Sequence, residues 1–280
     1  MISILILTKN EEQDLPGCLD SVSWSDDIHV YDSMSTDNTI EIAKQYGAKV
    51  TQRDYGESKL AFGGDEANHR NWGLKNIPFK YPWVLQLDAD ELATEELHKE
   101  IASVLQNSEH GAFRIRRRDF LMGTWLKHVQ ASPFYLRLFR PEKLHYERLI
   151  NPVSVVDGTI GELNSYFDHY PFSKGFTHWL EKHNKYSSLE ARQIVNNRKT
   201  NVDFSVLKAF FEKDFHQRRF HQKELFYRLP FRPLIKFFIL YIAKLGFLDG
   251  RAGFTYSSLQ SIYEYMIILK TREIQQNQQK

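Results

Sequence analysis

Two aspartates one residue apart are the side chains in this chain best suited to chemistry. The segment WVLQLDADE at 83–91 places Asp88 and Asp90 directly after a short, mostly apolar run. In an extended chain, side chains two residues apart point the same way, so both carboxylates project together. Adjacent carboxylates repel each other unless a cation neutralises them, and oxygen ligands of this kind suit Mg²⁺ or Mn²⁺ bound to a diphosphate. The alternative is a solvated turn that caps the next helix.

The composition is that of a folded protein without disulfides. The 280 residues are 42% hydrophobic and 26% charged, which a disordered chain would not be. A single cysteine, Cys18, excludes an internal disulfide and indicates a reducing compartment. The opening segment MISILILTKNEE is too short in its apolar part for a signal peptide and predicts a buried strand. No run of about 18 uncharged apolar residues is present, so we expect no spanning helix.

The charge is distributed unequally along the chain. Residues 1–110 hold 9 Lys and Arg against 20 Asp and Glu, whereas the remaining 170 residues carry a net charge of +13. The acidic first part argues against nucleic acid as a partner. The basic second part favours an anionic partner such as a phosphate, an acidic glycan or a membrane surface.

Strand and helix signals alternate over the first 110 residues. This alternation predicts a mostly parallel central sheet flanked by helices, and ligands in such sheets lie beyond the carboxyl ends of the strands. Strands are predicted at 2–7, 28–32, 48–53 and 83–87, and helices at 11–24, 35–46, 65–76 and 94–106. Further strands are predicted at 112–118 and 134–140, and a helix at 178–191.

The predicted carboxyl ends of the first four strands all carry polar or charged residues. These are Thr8, Asn10 and Glu11 after the first strand, Asp32 at the second, Arg53 at the third, and Asp88 and Asp90 at the fourth. Such a rim is typical of a site for a metal ion and a diphosphate. Neither a GxGxxG motif nor a P-loop is present.

Several motifs together resemble one enzyme family. They are TKNE at 8–11, VYDSMSTDNT at 30–39, HRNWGL at 69–74, LDADE at 87–91, RLFR at 137–140, KHNKYS at 182–187 and GFLDGRAGF at 246–254. In order and spacing they resemble the inverting family 2 glycosyltransferases of the GT-A fold. The nearest branch is the bacterial sugar transferases of lipopolysaccharide core and surface polysaccharide synthesis. The resemblance covers nearly the whole chain.

The resemblance implies a fold and a role for each candidate residue. The fold would be a GT-A nucleotide-diphospho-sugar transferase fold with a helical C-terminal extension. Residues 1–110 would form the nucleotide-binding half of the catalytic domain, 111–200 its acceptor side and 201–280 the extension. The nucleotide-binding residues would be Thr8, Asn10, Glu11, Asp32, Arg53, Arg70, Asn71 and Asp88, with Asp90 and Asp88 at the metal.

The catalytic base is the least defined role. The branch often has a His-Glu pair where this chain reads HYERLINPV at 145–153, with Asn151 near the expected acid. We expect Glu147 to be the base. Asp119 is the second candidate, and Glu91 is the least favoured of the three. Three arginines precede Asp119 and would weaken it by pairing, whereas Glu147 could instead be a surface carboxylate paired with its neighbour. His169 and His178 are expected to pack or contact the acceptor rather than bind metal.

The expected activity is metal-dependent, inverting transfer of a sugar, of glucose type, from a UDP-sugar. The acceptor would be a saccharide or a lipid-linked molecule in bacterial lipopolysaccharide or exopolysaccharide synthesis. The alternatives are a nucleotidyltransferase or sugar-phosphate enzyme that uses the same metal site, and a non-catalytic membrane-associated adaptor on this fold.

The C-terminal segment is basic and aromatic. The stretch LPFRPLIKFFILYIAKLGFL at 229–248 is apolar but interrupted by Arg232, Lys236 and Lys244, and Val206 to Tyr227 reads as a basic amphipathic helix. Such a segment is too charged to span a bilayer and suits an anionic membrane surface. We therefore expect a cytoplasmic protein at the inner face of the plasma membrane. The alternatives are packing on the catalytic domain and a dimer interface.

Overall fold

The structure, a computed structural model, describes residues 1–55, 64–130, 132–147, 152–200 and 203–278. The chain forms two compact units. The first unit comprises Met1–Phe120 and Ser132–Ser173, and the second comprises Leu121–Ala131 and Lys174–Lys280. The first is built on a sheet and the second is mostly helical.

The described part of the chain contains eleven strands. They are β1 (Ser3–Thr8), β2 (Ile28–Asp32), β3 (Lys49–Gln52), β4 (Val84–Asp88), β5 (Glu91–Ala93), β6 (Ala112–Leu121), β7 (Thr124–Trp125), β8 (Phe134–Phe139), β9 (Leu144–Glu147), β10 (Val153–Val156) and β11 (Ile160–His169). The short β7 belongs to the second unit. The central sheet of the first unit has the order β3-β2-β1-β4-β8-β6-β11-β5, and β9 and β10 form a separate antiparallel pair.

The central sheet is mostly parallel, as the sequence predicts. Strands β1, β2, β3 and β4 pair only in parallel with one another, and β6 pairs in parallel with β11. Strand β8 is antiparallel to both β4 and β6, and β5 is antiparallel to β11. The fold prediction of a mostly parallel α/β sheet flanked by helices is confirmed.

Helices cover both faces of this sheet because the strands are apolar on both sides. The helices of the first unit are α1 (Leu15–Ser21), α2 (Thr39–Gln45), α3 (Glu66–Asn76) and α4 (Glu95–Val104). Ile4 and Ile6 of β1 face one core together with residues of α1, α2 and α4, whereas Leu5 between them faces a second core with residues of α3. Alternate side chains of one strand therefore support two layers of helices.

The first helix is shorter than the sequence predicts. It begins at Leu15, although the pattern predicts a start near residue 11. The backbone N–H of Glu11 donates to Thr39 Oγ1 and that of Glu12 to Asp37 Oδ2, at 2.8 and 3.2 Å. Because the loop before α2 takes these donors, Glu11 and Glu12 brace two loops at the sheet edge instead of opening the helix.

The second unit contains the remaining helices. They are α5 (Gly175–Lys199), α6 (Val206–Phe211), α7 (Phe215–Arg228), α8 (Arg232–Phe238) and α9 (Gly250–Asn277), with a π-helical turn at Ile239–Ala243 and a 3₁₀ turn at Gly246–Asp249 between the last two. Buried Ile194, Tyr227 and Ile267 join α5, α7 and α9 in one core. The predicted helical C-terminal part is confirmed. None of the helices in the described ranges has both the length and the apolar character that crossing a membrane requires.

Candidate active site

The carboxyl ends of four parallel strands meet at one edge of the sheet. In the strand register Thr8 lies beside Asp32, Asp32 beside Gln52, and Leu7 beside Asp88. The predicted rim is therefore a real edge, because parallel strands end together on the same side. The side chains at this edge form three groups, which are described in turn.

The first group is an ionic cluster around Arg137 of β8. Its Nη2 donates to Asp88 Oδ2 at 2.7 Å and to Glu91 Oε1 at 2.5 Å, while Glu91 Oε2 accepts from the backbone N–H of Asp88 at 2.9 Å. Glu91 is fully buried, but the Asp88 side chain is 40% exposed. Arg137 therefore holds Asp88 Oδ2 in place, and part of the Asp88 side chain stays open to solvent.

The charges in this cluster shift one another's pKa values. Burial raises the pKa of Asp88, but Arg137 and Arg70 outweigh it, and the pKa lies below its ordinary value. Burial and the neighbouring Asp88 charge raise the pKa of Glu91 to about 7 despite Arg137. Asp88 is therefore the ionised carboxylate at neutral pH, as binding of a cation requires.

The second group links Asp90 to Asp119 through His169. His169 Nδ1 lies 2.5 Å from Asp119 Oδ1, and its Nε2 lies 3.3 Å from Asp90 Oδ2. Burial lowers the pKa of His169, but the two carboxylates outweigh it and raise the pKa to about 9. The structure thus brings Asp90 and Asp119 to the same histidine, which was expected only to pack or contact the acceptor.

The third group surrounds Asp32, whose carboxylate is fully buried. It accepts hydrogen bonds from Thr8 Oγ1 at 2.8 Å, Ser35 N at 2.8 Å, Ser35 Oγ at 2.5 Å and Gln52 Nε2 at 3.1 Å. These donors come from β1, the loop after β2, and β3. Asp32 therefore ties the loop after β2 to the ends of β1 and β3.

Asn10 shapes the loop that follows β1. Its backbone has φ 57°, a left-handed conformation that asparagine tolerates better than most residues. Its backbone N–H donates to Ser35 Oγ and its Oδ1 accepts from Thr36 N, both at 2.8 Å. Together with Glu11, whose N–H bonds Thr39, it holds this loop against the loop after β2.

Arg53 lies at the end of β3 against α3. Its guanidinium donates to Asn68 O at 3.0 Å and Asn68 Oδ1 at 2.7 Å, and it lies 5.3 Å from the ring centroids of both Tyr55 and Trp72. A guanidinium between two aromatic faces is held in place by cation–π attraction and keeps its charge. Arg53 is thus a fixed positive charge near the strand edge.

His69, the first residue of the HRNWGL motif, is a core residue. It is buried and stacks on the Tyr31 ring with centroids 4.2 Å apart. Burial and the nearby Arg70 lower its pKa to about 3, so the ring is neutral. It positions the start of α3 and does not present a charge to the edge.

Arg70 and Asn71 follow on α3 and have different environments. Both amide atoms of Asn71 bond the backbone of Tyr146, with distances of 2.8 Å to its O and 2.7 Å from its N, so this side chain attaches β9 to α3. Arg70 pairs with Glu66 at 2.7 Å, and its guanidinium lies 5.3 Å from the Tyr146 ring centroid. Arg70 adds a second positive charge near Asp88, whose pKa it helps to lower.

The two candidate bases differ in access to solvent. Glu147 ends β9 with its side chain 61% exposed, and its Oε1 lies 3.2 Å from His145 Nε2. Asp119 is 2% exposed and bonds His169 and Arg117. Arg148 and Asn151, the neighbours considered with Glu147, lie outside the described residues.

The residues at the edge could bind a divalent ion whose coordination is completed by a bound ligand. Among the described residues, no group of three or more His, Cys, Asp or Glu side chains is placed to hold an ion. Asp90 and His169 have side chains 29% and 14% exposed, respectively, and offer an oxygen and a nitrogen 3.3 Å apart. Mg²⁺ sites commonly take one or two protein ligands and fill the remaining positions with phosphate oxygens and water. The donor set is thus adequate for an ion that arrives with a diphosphate.

Local patterns indicated neither the contact of Arg137 with Asp88 nor the contact of His169 with Asp119. Arg137 lies in the quoted RLFR motif but was given no role, and its partner Asp88 is 49 residues away. His169 is 50 residues from Asp119. An apolar strand interrupted by a single arginine, as in FYLRLF of β8, was the available signal for a buried ion pair.

The chain is similar in sequence to known glycosyltransferases. The family model described as glycosyl transferase family 2 matches residues 3–170. An uncharacterized glycosyltransferase of Rickettsia typhi is 27% identical over 235 residues, which cover 75% of this chain and 76% of that protein. The lipopolysaccharide core biosynthesis glycosyltransferase LpsC of Rhizobium meliloti is 25% identical over 276 residues, 96% of this chain and 91% of the relative.

A solved structure of S. aureus TarS, residues 1–349 in complex with UDP-GlcNAc, is similar with a TM-score of 0.45. It is 16% identical and the match covers 94% of this chain and 90% of that one. The family match itself spans more than half of the chain and includes every candidate residue from Thr8 to His169. On this match, the protein is a glycosyltransferase and belongs to glycosyl transferase family 2.

Proposed function

We propose that this glycosyltransferase is metal-dependent and inverting and uses a UDP-sugar, of glucose type, as its donor. Its acceptor would be a saccharide or a lipid-linked molecule in the synthesis of a bacterial cell-surface glycan. The relative LpsC, named for lipopolysaccharide core biosynthesis, supports this acceptor class because the similarity extends over nearly the full length of both chains. The observation that carries the proposal is the Asp119–His169–Asp90 chain beside Asp88 at the carboxyl edge.

The donor end of the site would use the groups at this edge. Asp90, with Asp88 beside it, would hold a Mg²⁺ or Mn²⁺ ion, and the diphosphate would complete the coordination. His169 would join as a ligand only by releasing the proton that its pKa of about 9 implies, because a histidine must be neutral to bind a metal. When bound, the ion would supply charge stabilisation to the departing nucleoside diphosphate. Asp119 accepts from His169 and so orients its ring, as carboxylates commonly do for metal-binding histidines.

The nucleoside would lie against the loop after β2 and the ends of β1 and β3, which Asp32 joins by hydrogen bonds. Thr8, Asn10, Glu11 and Asp32 form one hydrogen-bonded frame after β1 and β2, and backbone groups in such a frame are suited to reading a base and a ribose. Arg53 and Arg70 stand close by as fixed positive charges that suit phosphate oxygens.

For the base we propose Glu147 ahead of Asp119. An inverting transfer requires one group to take the proton of the acceptor hydroxyl as it attacks the anomeric carbon, an effect of about 10²–10⁴-fold. Glu147 is exposed, and among the described residues its carboxylate contacts only a histidine. Asp119 is buried in two ionic contacts, and Glu91 is fully buried against Arg137. Neither of these can reach an acceptor as they stand.

The experiment that tests the activity compares Asp90→Asn with Asp203→Asn, a change at an exposed aspartate in the second unit. Titration calorimetry with UDP in the presence of Mn²⁺, and mass spectrometry of products from a panel of UDP-sugars, would be run on both. We expect Asp90→Asn to lose Mn²⁺-dependent UDP binding and transfer, and the control to keep both. Products with a new or broken phosphoanhydride would indicate a nucleotidyltransferase instead. Absence of UDP binding in the native protein would indicate the adaptor.

We also propose that the second unit lies on an anionic membrane surface. Exposed Phe231, Leu234, Phe238, Ile242 and Leu245 recur every three or four residues along α8 and the π turn, which makes one apolar stripe. The opposite side of this segment packs on α9, where Phe237 contacts Phe254 with ring centroids 5.8 Å apart. An exposed apolar stripe with basic neighbours is typical of a helix that lies in the headgroup region.

Flotation with vesicles of phosphatidylcholine and phosphatidylglycerol tests this location. Phe238→Ser removes an apolar side chain from the stripe, and Leu189→Ser on α5 removes one of matched exposure, 58% against 59%. We expect the native protein and Leu189→Ser to float and Phe238→Ser to float several-fold less. Equal flotation of both variants would place the contact elsewhere, and no flotation of the native protein would favour packing against protein.

A further inference from the structure

A pocket in the second unit is lined by four arginines from four different helices. Arg198 of α5, Arg228 at the end of α7, Arg232 at the start of α8 and Arg272 of α9 surround a cavity of about 340 Å³. None of the described residues that line it is acidic. Four like charges around one cavity repel each other, so this arrangement is favourable only when an anion neutralises them.

Arg232 is the central observation because it is buried without a partner. Its exposure is 4%, and within the described part of the chain its side chain makes neither a hydrogen bond nor an ion pair. Its guanidinium carbon lies 5.2 Å from the Tyr227 ring centroid, a cation–π contact that leaves the N–H donors unused. A buried charge without hydrogen bonds costs free energy that a bound anion would recover.

The other three arginines make few hydrogen bonds, although Arg228 also packs on the Phe204 ring with its guanidinium carbon 4.1 Å from the centroid. Arg198 Nη2 donates to Tyr227 O at 3.5 Å, the outer limit for a hydrogen bond, and Arg228 Nη2 lies 3.8 Å from Glu224 Oε2. Arg272 is exposed, and in the described ranges its side chain has no hydrogen bond or ion pair. Most of the donors around the cavity are therefore available to a ligand.

Two carboxylates lie near the pocket and do not neutralise it. Glu224 accepts from Asn197 at 2.6 Å as well as facing Arg228. Glu264 is buried near Arg232 without an ion pair to it among the described residues, and its Oε2 has no hydrogen-bond partner there. Glu264 offsets part of the charge of Arg232 and Glu224 part of that of Arg228, but Arg198 and Arg272 remain, so the cavity keeps a net positive charge.

We propose that this four-arginine pocket is an anion site for a phosphate group. Guanidinium groups present planar pairs of N–H donors that match phosphate oxygens, and several of them around one cavity are typical of phosphate recognition. The ligand is a phosphate carried either by a membrane lipid or by a soluble molecule such as a sugar phosphate. Leu229 and Phe231 at the same pocket are exposed apolar side chains, which suits the acyl part of a lipid.

The test uses variants of single exposed arginines in the full chain. Arg198→Gln and Arg272→Gln each remove one charge at the pocket, and Arg192→Gln removes one from an exposed position on the same helix as Arg198. Binding is measured by calorimetry with glycerol 3-phosphate and by sedimentation with phosphatidylcholine vesicles that do or do not contain phosphatidylglycerol. Arg232→Gln is included, with circular dichroism to establish that it folds.

The expected result is a loss of at least tenfold in affinity for Arg198→Gln and Arg272→Gln and less than twofold for Arg192→Gln. If this pattern appears with the anionic vesicles only, the phosphate is that of a lipid headgroup. If it appears with glycerol 3-phosphate, a soluble phosphate compound suffices. Binding of neither probe by the native protein, or an equal loss in all three exposed variants, would overturn the proposal. None of these outcomes depends on glycosyl transfer.

Discussion

His169 Nδ1 lies 2.5 Å from Asp119 Oδ1, at the carboxyl ends of the adjacent strands β11 and β6. The strand register pairs these two residues directly, so backbone hydrogen bonding alone brings them side by side. The ring is thereby fixed with its other nitrogen toward Asp90. Asp119 consequently orients the His169 ring. An experiment can distinguish this positioning role from the role of a catalytic base.

The variant Asp119→Asn distinguishes those two roles. If Asp119 positions His169, the substitution weakens the protein's affinity for Mn²⁺ by about 10–100-fold, which is the usual cost of losing such a partner. We expect calorimetric titration of Mn²⁺ in the presence of UDP to show this loss. A base would behave differently, because kcat would then fall by about 10²–10⁴-fold while Mn²⁺ affinity stayed unchanged.

Replacement of Arg137 tests the ionic cluster as a structural element. Arg137→Met leaves Glu91 buried and Asp88 without its cation, and breaking a buried pair in this way costs about 3–5 kcal/mol. Arg114→Met, at an exposed position on the neighbouring β6, should cost no more than about 0.5 kcal/mol. Urea unfolding of both variants measures the difference. Similar stabilities would mean that the cluster contributes little to folding.

The variant pair Gly73→Ala and Gly17→Ala tests how closely α3 packs on the sheet. A Cβ at Gly73 would lie 2.7 Å from Tyr31 Cε1, whereas one at Gly17 of α1 would meet Leu92 at an ordinary 3.6 Å. Alanine favours helices, so Gly17→Ala should be neutral or stabilise by up to about 1 kcal/mol. Gly73→Ala should destabilise by about 1–3 kcal/mol because the Tyr31 ring is fully buried and cannot move away. Thermal unfolding is the measurement, and stabilisation by both changes would contradict this packing.

Acid stability depends on Asp27, which is fully buried beneath the amino ends of the strands. Burial raises its pKa, but hydrogen bonds from Lys49 Nζ at 2.7 Å and Ser3 Oγ at 2.5 Å outweigh it and hold the pKa at about 2. The folded pKa lies below the ordinary value of 3.8, so the folded state gains stability above pH 3.8 and loses it as the pH falls toward 2.

The loss expected from Asp27 is about 2 kcal/mol between pH 5 and 2, from a shift of nearly two units. Urea unfolding at several pH values in this window measures it. Asp27→Asn cannot titrate, so its unfolding free energy should be lower at pH 5 and should fall less toward pH 2. A native protein and variant with parallel pH profiles would show that another group controls acid unfolding.

The sequence predicted the central sheet and the polar residues at its carboxyl edge. Apolar runs interrupted by polar turns located β1 to β4 within a residue or two, and polar residues after each run located the edge. These features are local, because the residue types of a strand and of the turn after it are consecutive in the sequence. The start of α1 was placed four residues early, because the donors of Glu11 and Glu12 are used by a loop about 25 residues further on.

What the chain determined by itself is thus the alternation of strands and helices and the pair of carboxylates at the end of β4. Only the tertiary structure decided that Arg137 pairs with Asp88 and that His169 lies between Asp119 and Asp90. It also decided that four arginines from α5, α7, α8 and α9 surround one cavity. Each of these contacts joins residues far apart along the chain. Its geometry depends on strand register and helix packing, which no local pattern of residue types encodes.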